Sequence, residues 1–281
     1  GLRRLIDQLE QALRRRDPLL QRIGDLHQLL QRLRDAGEQS EKAEQIPGCH
    51  LPGNRVAQRE PDPYFAQVSR FGLLEDFGHM YRLGPLYARV WGKDASALLQ
   101  NYPDVVPGRP TIVQHRAPID ELRHSYVRDE ADTPTKLHAL LITAAENQTH
   151  DYYMTVGPTF SDPVARMLYA EIASVEEQHA TQYESLMDAD ETVLEKWLMH
   201  EATEVYMYWS CVEHERNPRL KALWERMLDY ELGHFALVRD LFERFERRDA
   251  EEIIDPRLPD PLPFESQRRF VRGVLKDEVD L

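Results

Sequence analysis

The chain has 281 residues, 42% hydrophobic and 30% charged, enough to bury a core beneath a charged surface. Lys+Arg 35 against Asp+Glu 49 gives a net charge of −14, which argues against sequence-independent binding of nucleic acid, because that needs basic surface to neutralise phosphates. Cys49 and Cys211 lie far apart, so a disulfide framework, a zinc ribbon and a rubredoxin-type iron site are unsupported. No apolar run approaches membrane-span length, and the first residues are too rich in arginine and acid for a signal peptide; a cytoplasmic protein without a membrane partner is expected.

Residues 1–62 read as a helical arm and a connector. Leu2, Leu5, Ile6, Leu9 and Leu13 mark one apolar stripe, and Leu19, Leu20, Ile23, Leu26, Leu30 and Leu33 a second beyond Asp17-Pro18. Such an arm suits packing on the bundle or on a second subunit, and a homodimer is expected. Prolines and glycines punctuate 37–62, where Cys49-His50 reads as incidental. Residues 63–131 read as accessory helices and a loop. Phe65, Val68, Phe71, Leu74, Phe77, Met80 and Tyr87 make 64–101 too apolar for an exposed helix, and Leu83-Gly84-Pro85 is expected to kink or break it. A long loop with a short helix near Ile119–Val127 comes next.

Four helices are expected over 132–248. They start at Asp132-Thr133-Pro134, Asp162-Pro163, Asp190 and Asn217-Pro218, where capping side chains precede a proline in three cases. The first should end at Gly157 in a left-handed conformation. The second and fourth carry Glu176-x-x-His179 and Glu231-x-x-His234, each pair on one helical face. Glu146 precedes Glu176 by 30 residues (176 − 146), and Glu201 precedes Glu231 by the same 30 (231 − 201). A shift of 55 (201 − 146) maps one set onto the other, Tyr153 onto Tyr208, and Asp162-Pro163 onto Asn217-Pro218. The reading is a four-helix bundle whose four glutamates and two histidines point inward at two metal ions. The plainer alternative is two similar amphipathic hairpins with acids facing water. Four carboxylates in a core would repel and be desolvated at high cost without cations. Oxygen and nitrogen ligands with open positions favour two iron ions, with manganese second. The region 249–281 is expected to be an extended tail, weakly helical near 265–275.

Glu146, Glu176, His179, Glu201, Glu231 and His234 together resemble the ligand set of the ferritin-like di-iron carboxylate superfamily, over about residues 132–248. Glu201-Ala202-Thr203-Glu204 resembles the third-helix Glu-x-x-Glu of rubrerythrin. The resemblance implies an all-α, ferritin-like four-helix bundle with additional N-terminal helices. It implies that Glu176 and Glu231 bridge the ions, that Glu146 and Glu201 are terminal ligands, and that Glu204 is an extra, redox-switched ligand. Two departures stand out. The link between the second and third helices is too short for the long crossover of ferritins and rubrerythrins, and the rubredoxin-like electron-entry module is absent. Tyr153 and Tyr208, two turns past Glu146 and Glu201, read as core tyrosines or as ligand-bonding or radical-carrying groups. The implied function is a di-iron oxidoreductase, a rubrerythrin-like peroxide reductase or an oxygenase, taking O2 or H2O2 and an external electron donor. Two alternatives are a ferroxidase or iron-handling protein, and a metal-stabilised interaction protein.

Overall fold

The structure, a computed structural model, describes residues 56–95, 118–255, 258–262 and 268–278. The chain divides into two compact units, Gly1–Ile46 and Pro47–Leu281, and every described residue belongs to the second. The expected N-terminal arm, Cys49-His50 and the loop at 102–117 lie outside the described residues.

Among the described residues all regular structure is helical. The long elements are α1 (Pro63–Trp91), α2 (Thr133–Val156), α3 (Pro163–Glu184), α4 (Val193–His214), α5 (Pro218–Glu246) and α6 (Arg268–Glu278). Short 3-10 turns cover Pro118–Glu121, Gly157–Thr159 and Ala250–Glu252. No described helix is long and apolar enough to cross a membrane.

Local chemistry sets the helix starts. The Asp62 carboxylate accepts from Phe65 N, Asp162 from Val164 N and Ala165 N, and Asn217 Oδ1 from Arg219 N, each satisfying an orphan donor of the first turn. Pro63, Pro163 and Pro218 come directly after, where a missing N–H costs nothing. α4 starts later than Asp190, because Thr192 and Glu195 form a capping box that fixes the first turn at Val193.

Two expectations about irregular positions need correction. α1 runs unbroken through Pro85. The proline ring faces solvent while Leu83 and Leu86 on either side are buried against α2 and α3, so packing holds the helix across one missing hydrogen bond. Gly157 is right-handed, with φ −48°, so positive φ is not why glycine stands there. A Cβ at Gly157 would lie 2.9 Å from Tyr169 Cβ, and the glycine serves close approach of the α2 end to α3.

α2 packs against α3, α4 against α5, α2 against α4, and α1 against α3. Two apolar clusters organise α1–α3. One joins Phe65 and Val68 of α1, Leu137–Ile142 of α2 and Tyr183–Met187 at the end of α3. The other joins Leu83 and Leu86 of α1, Tyr153 of α2 and Ala165–Ala173 of α3. α3 therefore runs antiparallel to α1 and α2, and the middles of all three meet between the clusters. The first cluster continues into α4 (Leu194, Leu198, Met199, Ala202, Tyr206), the end of α5 (Val238, Phe242) and the tail (Ile253, Ile254, Leu262). The tail is tied down where Tyr206 Oη donates to Asp260 O at 3.0 Å and Leu262 N donates to Ser210 Oγ at 3.0 Å.

Glu195 joins the start of α4 to its surroundings. Its carboxylate accepts from Thr192 N at 2.6 Å, Arg128 Nη1 at 3.0 Å and Arg248 Nη1 at 2.5 Å, and the residue is buried. Burial pushes its pKa up, but the Thr192 amide and the two guanidinium groups outweigh it and hold it below the ordinary value. Glu195→Ala, which leaves two cations short of a partner, should cost about 3 kcal/mol of stability in chemical denaturation. A depressed carboxylate contributes stability above its unfolded pKa and loses it as pH falls through the folded value. The gap between wild type and Glu195→Gln should accordingly be full at neutral pH and shrink in strong acid.

Candidate metal centre

The donors of α2 and α3 meet where the sequence pattern placed them, at the middle of each helix. Their partners come from α1. Asp76, Glu146, Glu176 and His179 each offer a ligand atom, all within 4.8 Å of one another. Glu75 and His79 of α1 complete the group. Glu75, Asp76, His79, Glu176 and His179 are all buried, and only Glu146, at 13% side-chain exposure, retains an opening to solvent.

Glu176 occupies the centre. Its Oε2 lies 3.2 Å from His179 Nδ1 and its Oε1 lies 3.2 Å from His79 Nδ1. Oε1 is buried and accepts no hydrogen bond. Asp76 Oδ1 stands 4.0 Å from His79 Nδ1 and 3.7 Å from His179 Nδ1, and Glu146 Oε2 stands 3.7 Å from His179 Nδ1. On the far side of the ring His179 Nε2 meets Glu75 Oε2 at 3.0 Å. A carboxylate with one oxygen toward each of two imidazoles is what a bridge between two cations requires, and a carboxylate on the outer nitrogen is what orients a ligating histidine. The site offers four carboxylates and two imidazoles, and the buried orphan oxygen of Glu176 fits a cation. Asp76, His79, Glu146, Glu176 and His179 would hold the ions, with Glu75 fixing the His179 ring.

The electrostatics agree with a site that lacks compensating charge of its own. Burial, then the Glu176 carboxylate, push the Glu146 pKa up to about 8, so this acid carries a proton at neutral pH. For Glu176 burial works upward, but His79 and His179 outweigh it and hold the carboxyl well below its usual range. For His179 burial works downward, but Glu146, Glu176 and Glu75 outweigh it and hold the ring charged. Without metal, protons stand where cations would stand.

Tyr183 lies one turn past His179, fully buried, with the two rings 6.4 Å apart, and burial raises its pKa well above the ordinary value. Its hydroxyl rests against α1 at Gly72, where a Cβ would come within 2.0 Å of Tyr183 Oη.

The donors of α4 and α5 form a separate group. Glu201, Glu231 and His234 each offer an atom within 4.8 Å of the others. His234 Nδ1 is 2.8 Å from Glu231 Oε2 and 3.9 Å from Glu201 Oε2, and its side chain is 46% exposed. Trp197 Nε1 donates to Glu201 Oε1 at 2.7 Å. Glu204, half-buried, has its pKa raised by burial and by Glu231 and Glu201, against His200. Tyr208 stacks near Trp224, its pKa raised by burial, Glu204 and Glu231. Tyr153 is buried among Tyr152 and Tyr169 in the second apolar cluster. Instead of converging at one level, the six repeat-related donors fall into two groups, one closed by α1.

Sequence reasoning passed over Glu75, Asp76, His79 and Tyr183. The signal was present: Asp76-Phe77-Gly78-His79 is Asp-x-x-His, the same face geometry with aspartate for glutamate. No family model matches the chain, and no curated protein or solved structure shows significant similarity to it.

Substitution and proton release both test this geometry. Asp76→Ala and His79→Ala should each lose most of the metal that the full chain otherwise retains, about two ions per chain by elemental analysis, and Glu176→Ala should lose the most. Because Glu146 and His179 must give up protons, metal uptake should acidify a weakly buffered solution, and affinity should rise with pH toward about 8. Gly72→Ala should destabilise the protein by about 1–3 kcal/mol in thermal melts, and by less in a Tyr183→Phe background, which lacks the clashing oxygen.

Proposed function

We propose that this protein is a non-haem di-metal oxidoreductase that holds two iron ions, or manganese in their place, and reacts with O2 or H2O2 using electrons from an external donor. The observation that carries the reading is Glu176, its two oxygens each 3.2 Å from a different buried imidazole. Bound iron at this position supplies two electrons and open coordination positions for a small oxidant.

The chain's own groups have definable tasks. Glu75 holds the His179 ring from Nε2 and so fixes which nitrogen faces the centre. Glu146 Oε2 sits where the centre meets solvent and binds a proton at neutral pH, which suits it to deliver that proton to a reduced oxygen. The apolar clusters on both sides exclude bulk water from the centre. The ferritin-like assignment stays part of this proposal, resting on the donor inventory, four carboxylates and two imidazoles on bundled helices. Iron handling is the second reading. The open Glu201, Glu231 and His234 group on a chain of net charge −14 favours it, since such a surface collects cations.

Stopped-flow absorbance of the Fe²⁺-loaded chain mixed with O2 and with H2O2 tests the proposal. Rapid oxidation is expected, and Glu146→Gln or Asp76→Asn should slow it at least about tenfold, or about 1.4 kcal/mol of barrier. A loaded centre inert to both oxidants would leave a purely structural metal site. Oxidation ending in a mineral core within a many-subunit particle would select the iron-handling reading.

A further inference from the structure

The second apolar cluster holds a column of rings. Tyr153 of α2 meets Tyr169 of α3 edge to face, with centroids 5.2 Å apart, and Tyr152 lies 5.5 Å from Tyr153 and 6.4 Å from Tyr169. Phe160 stands 4.9 Å from Tyr169, Trp91 at the end of α1 stands 5.8 Å from Phe160, and Tyr87 stands 5.1 Å from Trp91. The two ends differ in exposure. Tyr153 is 1% exposed and Tyr169 6%, whereas Trp91 is 49% exposed. The inner end lies toward the metal centre. Tyr153 comes seven residues after Glu146 (153 − 146) and Tyr169 seven before Glu176 (176 − 169), each interval being about two turns, or about 10 Å, along one helical face. Because α2 and α3 are antiparallel, both intervals lead to the same level. Packing alone would be met by phenylalanine, since a hydroxyl buried in an apolar cluster costs desolvation. Here the Tyr169 hydroxyl donates a hydrogen bond to that of Tyr152, which, after burial, raises its pKa. Tyr152 is half-buried, so the paired hydroxyls reach from the cluster toward solvent.

We infer that this column carries electrons, one at a time, from a small soluble donor at Trp91 to the oxidised metal centre, with Tyr169 as the ring that is transiently oxidised. The inference rests on the reaction of the centre with O2. Reducing one O2 to two waters takes four electrons and four protons. Two ferrous ions supply two of the electrons, so two more must cross the protein to a centre that is buried. In each transfer Tyr169 gives an electron to the centre through the ring of Tyr153. Its phenolic proton shifts to Tyr152 Oη, which passes its own to solvent. An electron from Trp91 and a proton returned by way of Tyr152 then restore Tyr169. Phe160 is too hard to oxidise to hold the charge, so it serves as the bridge between Trp91 and Tyr169. Ascorbate at the surface restores Trp91 and becomes the ascorbyl radical. The protons that complete water enter from solvent beside Glu146.

The experiment mixes the Fe²⁺-loaded full chain with excess O2 and a nitroso spin trap, and locates the trapped adducts by peptide mass spectrometry. Stopped-flow absorbance follows iron oxidation in the same mixtures. Without ascorbate an adduct is expected at Trp91, and ascorbate should suppress it. Tyr169→Phe keeps the ring and its packing; it should lower the Trp91 adduct at least about tenfold while the iron is oxidised at the wild-type rate. Trp91→Phe should prolong the tyrosine radical signal in freeze-quench electron paramagnetic resonance and remove its sensitivity to ascorbate. Normal iron oxidation with no adduct at Trp91, or with an undiminished adduct in Tyr169→Phe, overturns the column and leaves the oxidoreductase reading standing. An equal adduct on the metal-free chain means that solution oxidants reach Trp91 directly, and overturns the column as well. Iron inert toward O2 overturns both.

Discussion

The constraint on which the rest depends is the burial of Glu75, Asp76, Glu146 and Glu176 with only two imidazoles between three helices. A set of this kind is expensive to remove from water, and the charged His179 ring offsets part of it. The remainder falls on Glu146, which takes up a proton, and on whatever cation the site receives. The surrounding structure makes the position obligatory. Apolar clusters above and below fix the heights of α1, α2 and α3, so their middles cannot slide apart to let water in. Gly72 and Gly157 let Tyr183 and Tyr169 seat closely at two of these contacts, where a Cβ would meet the ring oxygen or the Cβ of the neighbour.

Placing α1 in this role makes sense of its composition. Its apolar residues are too many for one surface because it buries faces toward both α2 and α3, and its acids and histidine occupy the gap between those faces. Pro85 can stand inside it because packing on both sides of the missing bond holds the axis. A helix read as accessory from its position before the repeat is therefore the third wall of the centre.

Much of this was legible in the sequence. The caps and prolines at Asp62, Asp162 and Asn217 fix where helices begin, through hydrogen bonds made within three residues, and local rules of this kind carry over directly. The 30-residue offset between Glu146 and Glu176 identifies two donors that do meet, because a short connection forces α2 and α3 to be antiparallel neighbours. Which pair of helices closes the group was not legible. A repeat states which residues are equivalent; it does not state which are in contact, and Glu201 and Glu146 turn out equivalent without sharing a group. The Asp-x-x-His of α1 lies outside the repeat, so the search that found the other donors had no reason to reach it.

The two halves of the repeat then differ in one respect, the presence of a covering helix. In the α2–α3 half that cover brings two acids and an imidazole of its own, so the group is closed and electrostatically demanding. In the α4–α5 half no described helix supplies such a cover: Glu201 is buried beside Trp197, Glu231 is half-buried, and the His234 side chain is 46% exposed. Identical donor spacing thus yields two different physical situations, one group closed by a third helix with its own donors and one without that helix.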